Sequence, residues 1–152
     1  MRGGSEASVE AEPAALRRTL LVVDDEVRIL SALRRTLRRE GYEIVTSESV
    51  HRALEILDER PVDVILSDQK MPGMSGLQFL AEAAVRRPGA ARLLFTGWTQ
   101  EIPADALERL GIVALINKPW DDAQLKETLR RACDPDAPPP AVDPANPPGL
   151  GG

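Results

Sequence analysis

Three aspartates, a threonine and a lysine each stand at or just past the end of a short apolar run. Asp24 and Asp25 follow Thr19 to Val23, Asp68 follows Val62 to Ser67, Thr96 closes Ala91 to Thr96, and Lys118 comes shortly after Ile112 to Ile116. Three carboxylates gathered at one place cannot all stay ionised without a counter-charge, so either one holds a proton or a cation sits among them. An oxygen-only cluster with an open shell favours a hard cation such as Mg²⁺, which keeps waters and accepts phosphate oxygens. A carboxylate can also attack phosphorus to give an aspartyl phosphate, while a divalent cation, an ammonium and a hydroxyl neutralise the equatorial oxygens. Asp24, Asp25, Asp68, Thr96 and Lys118 have a residue type for each of those roles.

They meet only if the runs are neighbouring parallel strands, because ligands of open parallel sheets bind beyond the carboxyl ends of the strands. The intervening segments support this. Ile29, Leu30, Leu33 and Leu37 recur at helical spacing, with Arg28, Arg34, Arg35, Arg38 and Arg39 on the opposite face, which predicts a helix over 26–40 stopped by Gly41. Tyr42 to Thr46 reads as a second strand, followed by a helix capped by Ser49, carrying Ala53, Leu54, Ile56 and Leu57, and ended by Pro61. Val62 to Ser67 is a third strand, Met71 to Gly76 loop chemistry, and Ser75 to Arg87 a third helix. Ala91 to Thr96 and Ile112 to Ile116 are strands four and five, separated by a weaker helix over Ile102 to Leu110. A last helix runs from Asp121 or Asp122 to about Cys133. The fold class is α/β: a doubly wound, five-stranded parallel (βα)₅ sheet with right-handed crossovers and the flavodoxin-like strand order 2-1-3-4-5.

Composition sets the frame around this unit. A chain of 152 residues, 43% hydrophobic and 28% charged, suits one packed domain. One cysteine, Cys133, and one histidine, His51, cannot build a disulfide or a four-ligand zinc site. No apolar run approaches the roughly 18 residues of a spanning helix, and residues 1–18 lack a secretory apolar core, so the expectation is cytoplasmic with no membrane contact. A net charge of −5 argues against direct nucleic-acid binding. Seven of the 13 prolines follow Asp134, so residues 134–152 read as a disordered tail or the start of a linker, and residues 1–18 as a disordered N-terminal extension.

Four segments, VVDDE at 22–26, ILSDQKMPGMSG at 65–76, LLFTG at 93–97 and INKPW at 116–120, resemble the receiver domain of two-component response regulators. The resemblance spans about residues 19–132 and assigns 19–133 as a receiver domain. It implies that Asp68 is the phosphoacceptor, that Asp24, Asp25 and Asp68 with the backbone carbonyl of Lys70 hold Mg²⁺, and that Thr96 and Lys118 read the phosphate. It also implies a cis Lys118–Pro119 bond. Where many receivers carry a Tyr or Phe that rotates on activation, this chain has Leu115, while Lys70 and Trp98 occupy positions that tune phosphoryl lifetime. The KPW segment and Trp98 resemble receivers often fused to cyclic-di-nucleotide phosphodiesterase domains.

The implied function is a phosphorylation-activated switch. It is charged by a sensor histidine kinase or phosphotransfer protein, signals through an unidentified protein partner, and dimerises through its helix 4 to helix 5 face as one route. It is no metabolic enzyme, catalysing only its own phosphotransfer and autodephosphorylation. Two alternatives stand beside it: a fragment of a longer regulator, and an aspartyl-phosphate phosphohydrolase. The latter would carry a second acid two residues past the nucleophile, where this chain has Lys70. His51, on an exposed helix face, reads as non-catalytic; Cys133 reads as an inert thiol; the helix-one arginines read as a solvated face or a kinase-docking surface; and Trp98 and Trp120 read equally as packing or partner contacts.

Overall fold

The inner strands of this protein, TLLVV and VILS, are buried on both faces, which places the sheet in the middle of the molecule. In the computed structural model, which describes residues 17–97 and 102–133, β1 (Thr19–Val23) is buried along its whole length. The other elements, in chain order, are α1 (Val27–Leu37), β2 (Glu43–Ser47), α2 (Val50–Glu59), β3 (Val64–Ser67), α3 (Gly76–Arg86), β4 (Ala91–Thr96), α4 (Ala104–Arg109), β5 (Ile112–Asn117) and α5 (Asp122–Ala132). All pairings are parallel, as the alternation of runs predicts, and the strand order is β2-β1-β3-β4-β5, the flavodoxin-like order expected.

Successive side chains point to opposite faces, so the sheet divides its residues between two cores. Leu21, Val23, Ile65 and Leu94 pack with Val50, Ala53, Ile56 and Leu57 of α2 and Phe79, Leu80 and Ala83 of α3. On the other face Leu20, Val22, Leu66, Leu93 and Phe95 meet Leu30, Leu33 and Leu37 of α1 and Leu125 and Leu129 of α5. Burying a side chain of this size contributes about 1.5–3 kcal/mol. The two layers therefore hold the strand ends against each other more firmly than any surface contact could.

Capping fixes where the helices begin. The Ser49 hydroxyl accepts from the Arg52 N–H at 2.9 Å, the cap expected from the sequence, and Asp121, the N-cap of α5, accepts from Gln124 at 2.8 Å. Ser75 and Gln78 form a reciprocal capping box on α3. Some bounds differ from the sequence-based ones. The first helix stops at Leu37, because the Glu40 N–H turns back to the Leu37 carbonyl and Gly41 then takes a φ of +88°. The third strand starts at Val64, since Asp63 is engaged in bridging β1 and β4 through Thr19 and Ala91. The fourth helix is only Ala104–Arg109, begins after Pro103 and has no side-chain cap.

Gly76 opens α3 at the point where that helix comes closest to the third strand end. A Cβ there would run into the backbone carbonyl oxygen of Asp68 and the Leu94 side chain. Overpacking of this kind costs about 1–3 kcal/mol. Gly76→Ala is therefore expected to lower stability by at least about 1 kcal/mol in urea unfolding, the low end of that range. An unchanged unfolding midpoint would show that α3 does not press on the Asp68 backbone.

Candidate functional site

The sheet hydrogen bonding runs one residue beyond the strands and grips each functional residue by its backbone. The Asp24 N–H donates to the Ser47 carbonyl at 3.1 Å, Asp68 to Val23 at 2.9 Å, and Lys118 to Thr96 at 2.9 Å. Strands β2, β1, β3, β4 and β5 thus end at one rim with their last residues locked together. Asp24 Oδ1 then accepts from the Glu26 N–H at 2.9 Å, turning the chain into α1.

On that rim one ammonium faces two buried carboxylates. Lys118 Nζ lies 2.6 Å from Asp24 Oδ2, 3.2 Å from Asp68 Oδ1 and 3.8 Å from Glu26 Oε1. The Asp24 side chain is fully buried, Asp68 is 10% exposed and Lys118 18%. The ammonium also sits 5.5 Å over the Phe95 ring, which tilts against Trp120 at 5.7 Å. Burial pushes the Asp68 carboxyl above the ordinary range; Lys118 pulls it back, and the neighbouring Asp24 charge pushes it up again, leaving it raised. For Lys118, burial disfavours the ammonium, but the contacts with Asp24 and Asp68 outweigh it and hold the group above its usual range.

Asp25 joins the pair from the solvent side, and oxygens of Asp24, Asp25 and Asp68 all lie within 4.8 Å of one another. One ammonium cannot balance three carboxylates, and the donor set is all oxygen with one side open to water. Those are the conditions a hexacoordinate hard cation needs, and Mg²⁺ fits them. Thr96 is 3% exposed, and among the described residues its buried hydroxyl and the buried Asn117 amide oxygen have no hydrogen-bond partner. A buried hydroxyl left unpaired costs about 1–3 kcal/mol, which an incoming oxygen would recover.

The structure thus brings Asp24, Asp25, Asp68 and Lys118 together and sets Thr96 on the neighbouring strand end, as the spacing of the runs anticipates. Lys70 is exposed two residues past Asp68. Leu115 is half-buried against the α2 and α3 layer, and Trp98 lies outside the described residues. The Lys118–Pro119 bond is cis. His51 is exposed, 3.5 Å from Glu55, and lines a groove of about 430 Å³ with Met71 and Met74. Cys133 is partly buried, and burial pushes its thiol up.

Two residues that position the site were not singled out by sequence. Gln69 closes the loop after Asp68: its carbonyl accepts from the Gly76 N–H at 2.9 Å and its side-chain oxygen from the Leu77 N–H at 3.0 Å. Glu26 adds a third carboxylate near Lys118. Gln69 carried a weak signal, an amide beside a functional aspartate in a glycine-rich loop; Glu26 was visible as the acid after the Asp pair.

Comparison with known proteins agrees with this geometry. The response regulator receiver domain family matches residues 20–130. The hydrogenase transcriptional regulatory protein HoxA of Cupriavidus necator is 43% identical over 118 residues, covering 76% of this chain and 24% of HoxA. The transcriptional regulatory protein GlrR of Escherichia coli K12 is 34% identical over 119 residues, 78% of this chain and 27% of GlrR. The chain thus spans about a quarter of the length of these curated relatives. Among solved structures, the signal receiver domain of an HD domain-containing protein from Pseudomonas fluorescens Pf-5 superposes with a TM-score of 0.71 at 30% identity, covering 82% of this chain and 93% of that one. A response regulator receiver domain protein from Clostridium thermocellum gives 0.71 at 30% identity, covering 76% and 94%. With a strand order, a rim of acids and a family match that all agree, this chain belongs to the response regulator receiver domains, the phosphorylation-activated modules of two-component signalling.

Proposed function

We propose that Asp68 is the phosphoacceptor, charged from a phosphohistidine of a sensor kinase or phosphotransfer protein. An Asp68 carboxylate oxygen forms the new O–P bond as the P–N bond of the donor breaks, and the departing imidazole takes up a proton. Asp24, Asp25, Asp68 and the backbone carbonyl of Lys70 are the groups that would hold Mg²⁺, which when bound supplies positive charge to the transferring oxygens. Lys118 and Thr96 contribute an ammonium and a hydroxyl to the same oxygens. The observation that carries this reading is the Lys118 ammonium, buried between Asp24 and Asp68.

The arriving phosphoryl group competes with Asp24 for Lys118 and offers the unpaired Thr96 hydroxyl a partner, which biases the domain between two states. Leu115 leaves that switch without the aromatic half found in many receivers, and Lys70 and Trp98 adjust how readily water hydrolyses the acyl phosphate. In this reading the chain is a cytoplasmic switch that turns over only its own phosphoryl group, and its acidic charge fits output by protein contact, a dimer through α4 and α5 included. Residues 19–133 form the receiver, with 1–18 and 134–152 as extensions. A second reading, the receiver portion of a longer regulator, is favoured by the share of the relatives that the chain spans, since those relatives are transcriptional regulatory proteins and an HD domain-containing protein.

Incubation with acetyl phosphate and Mg²⁺ should add one phosphoryl mass to the protein and none to Asp68→Ala; equal uptake by the variant would remove Asp68 from the role. Chelation should abolish uptake. Asp25→Ala should slow it by at least about 10-fold, the lower cost of disturbing even an outer partner of a metal site. Unchanged rates under either treatment would contradict the metal assignment. In chelator, Asp68→Asn should raise Tm by a few degrees, because it removes an ionised carboxylate that burial and Asp24 both disfavour, at about 2–4 °C per kcal/mol for a chain of this size. A lowered Tm would show that the Lys118 contact outweighs those two costs.

A further inference from the structure

Two polar atoms beside the acidic rim are left unpaired on neighbouring strands. Among the described residues, the Thr96 hydroxyl and the Asn117 amide oxygen are buried and have no hydrogen-bond partner. Thr96 ends β4 and Asn117 ends β5, and the two are paired across the sheet, as Leu94 and Leu115 are two residues earlier. Leu94 and Leu115 both pack in the α2 and α3 layer. Side chains alternate along a strand, so Thr96 and Asn117 project on that same face, from strands about 4.8 Å apart.

Their needs are complementary. A hydroxyl has one proton to donate, an amide oxygen only accepts, and each is costly to leave unpaired when buried. A change of rotamer, or one bridging water, connects them. The Thr96 proton has a second claimant, however. The oxygens of a phosphoryl group on Asp68 also only accept, and a single O–H serves one acceptor at a time. The Asn117 oxygen and the phosphoryl group therefore compete for one donor. The backbones around that donor are fixed, since Lys118, the residue after Asn117, donates its N–H to the Thr96 carbonyl at 2.9 Å. The Lys118 ammonium in turn lies 3.2 Å from Asp68 Oδ1. Leu115, at the position of the aromatic half of the switch, has no polar atom to enter this competition.

We propose that Asn117 is the resting partner of the Thr96 hydroxyl and a positioning residue of the switch. In the uncharged domain it holds the hydroxyl back, and phosphorylation at Asp68 takes the hydroxyl from it. This rests on the reading of Asp68 as the phosphoacceptor. The two residues then act with opposite sign: loss of the Thr96 hydroxyl disfavours the charged state, and loss of the Asn117 oxygen favours it. A side chain at 117 that served packing alone would act independently of Thr96.

The test is a double-mutant cycle on the full chain, with binding of beryllofluoride, a phosphoryl mimic, measured by calorimetry in the presence of Mg²⁺. Asn117→Val should tighten binding at least about twofold, the low end for one neutral hydrogen bond, and Thr96→Val should weaken it. Added to Thr96→Val, the Asn117→Val change should leave binding where it was, because the donor it acts through is gone. Unchanged or weaker binding by Asn117→Val alone, or an equal gain in both backgrounds, would overturn the role of Asn117 and leave Asp68 in place. Failure of the wild type to bind beryllofluoride would instead remove the phosphoacceptor reading, and the role of Asn117 with it. Valine suits a strand position, and Asn117→Leu, closer in shape to asparagine, reads the same cycle if the valine variant does not fold.

Discussion

The site depends on one cation placed among carboxylates that cannot do without it. Asp24 is wholly buried, and a buried carboxylate is tolerated only when paired. Lys118 supplies that pair at 2.6 Å and extends to Asp68 at 3.2 Å, so three side chains from the ends of β1, β3 and β5 are held by one charge. Strand pairing in the order β2-β1-β3-β4-β5 is what makes that geometry available, because it seats β3 between β1 and β4 and so brings distant sequence positions to a common rim. The same arrangement leaves the rim short of positive charge, with Asp25 and Glu26 adding to the deficit. A bound cation would offset that deficit.

This arrangement also explains why the supporting residues are where they are. Gln69 and Gly76 shape the loop that carries Asp68, one by bonding across it and the other by lacking a side chain where α3 meets the Asp68 backbone. Phe95, fully buried on β4, lies beneath the Lys118 ammonium and leans on Trp120, which in turn donates its indole N–H to Asp122 at 2.9 Å. Asp122 also accepts from Thr36 on α1 at 3.4 Å. The charged centre is therefore in continuous contact with α1 and α5, the layer whose outer face carries the exposed arginines of α1.

Much of this was legible in the sequence because parallel strands buried on both faces leave an unmistakable rhythm. Runs such as LLVV and VILS end where polarity returns, and the aspartates that follow them meet at the rim. The fold class and the grouping of Asp24, Asp25, Asp68 and Lys118 follow from that. Element ends were less legible. The first helix stops early because Glu40 and Gly41 make a turn that the arginine-rich spacing does not reveal, and Val62, although buried, precedes the third strand because Asp63 serves two other strands. Contacts made through backbone approach, as at Gly76, or by a loop amide, as at Gln69, left little trace, since neither depends on a periodic pattern.

The central claim is that a phosphoryl group resides on the carboxylate of Asp68. Borohydride reduction of the freshly phosphorylated protein, followed by peptide sequencing, reads this directly, because an acyl phosphate on aspartate is reduced to homoserine. The account predicts homoserine at position 68 and at no other aspartate. Homoserine at Asp24 or Asp25, or intact aspartate at all three positions in a protein that carries phosphate, would contradict it.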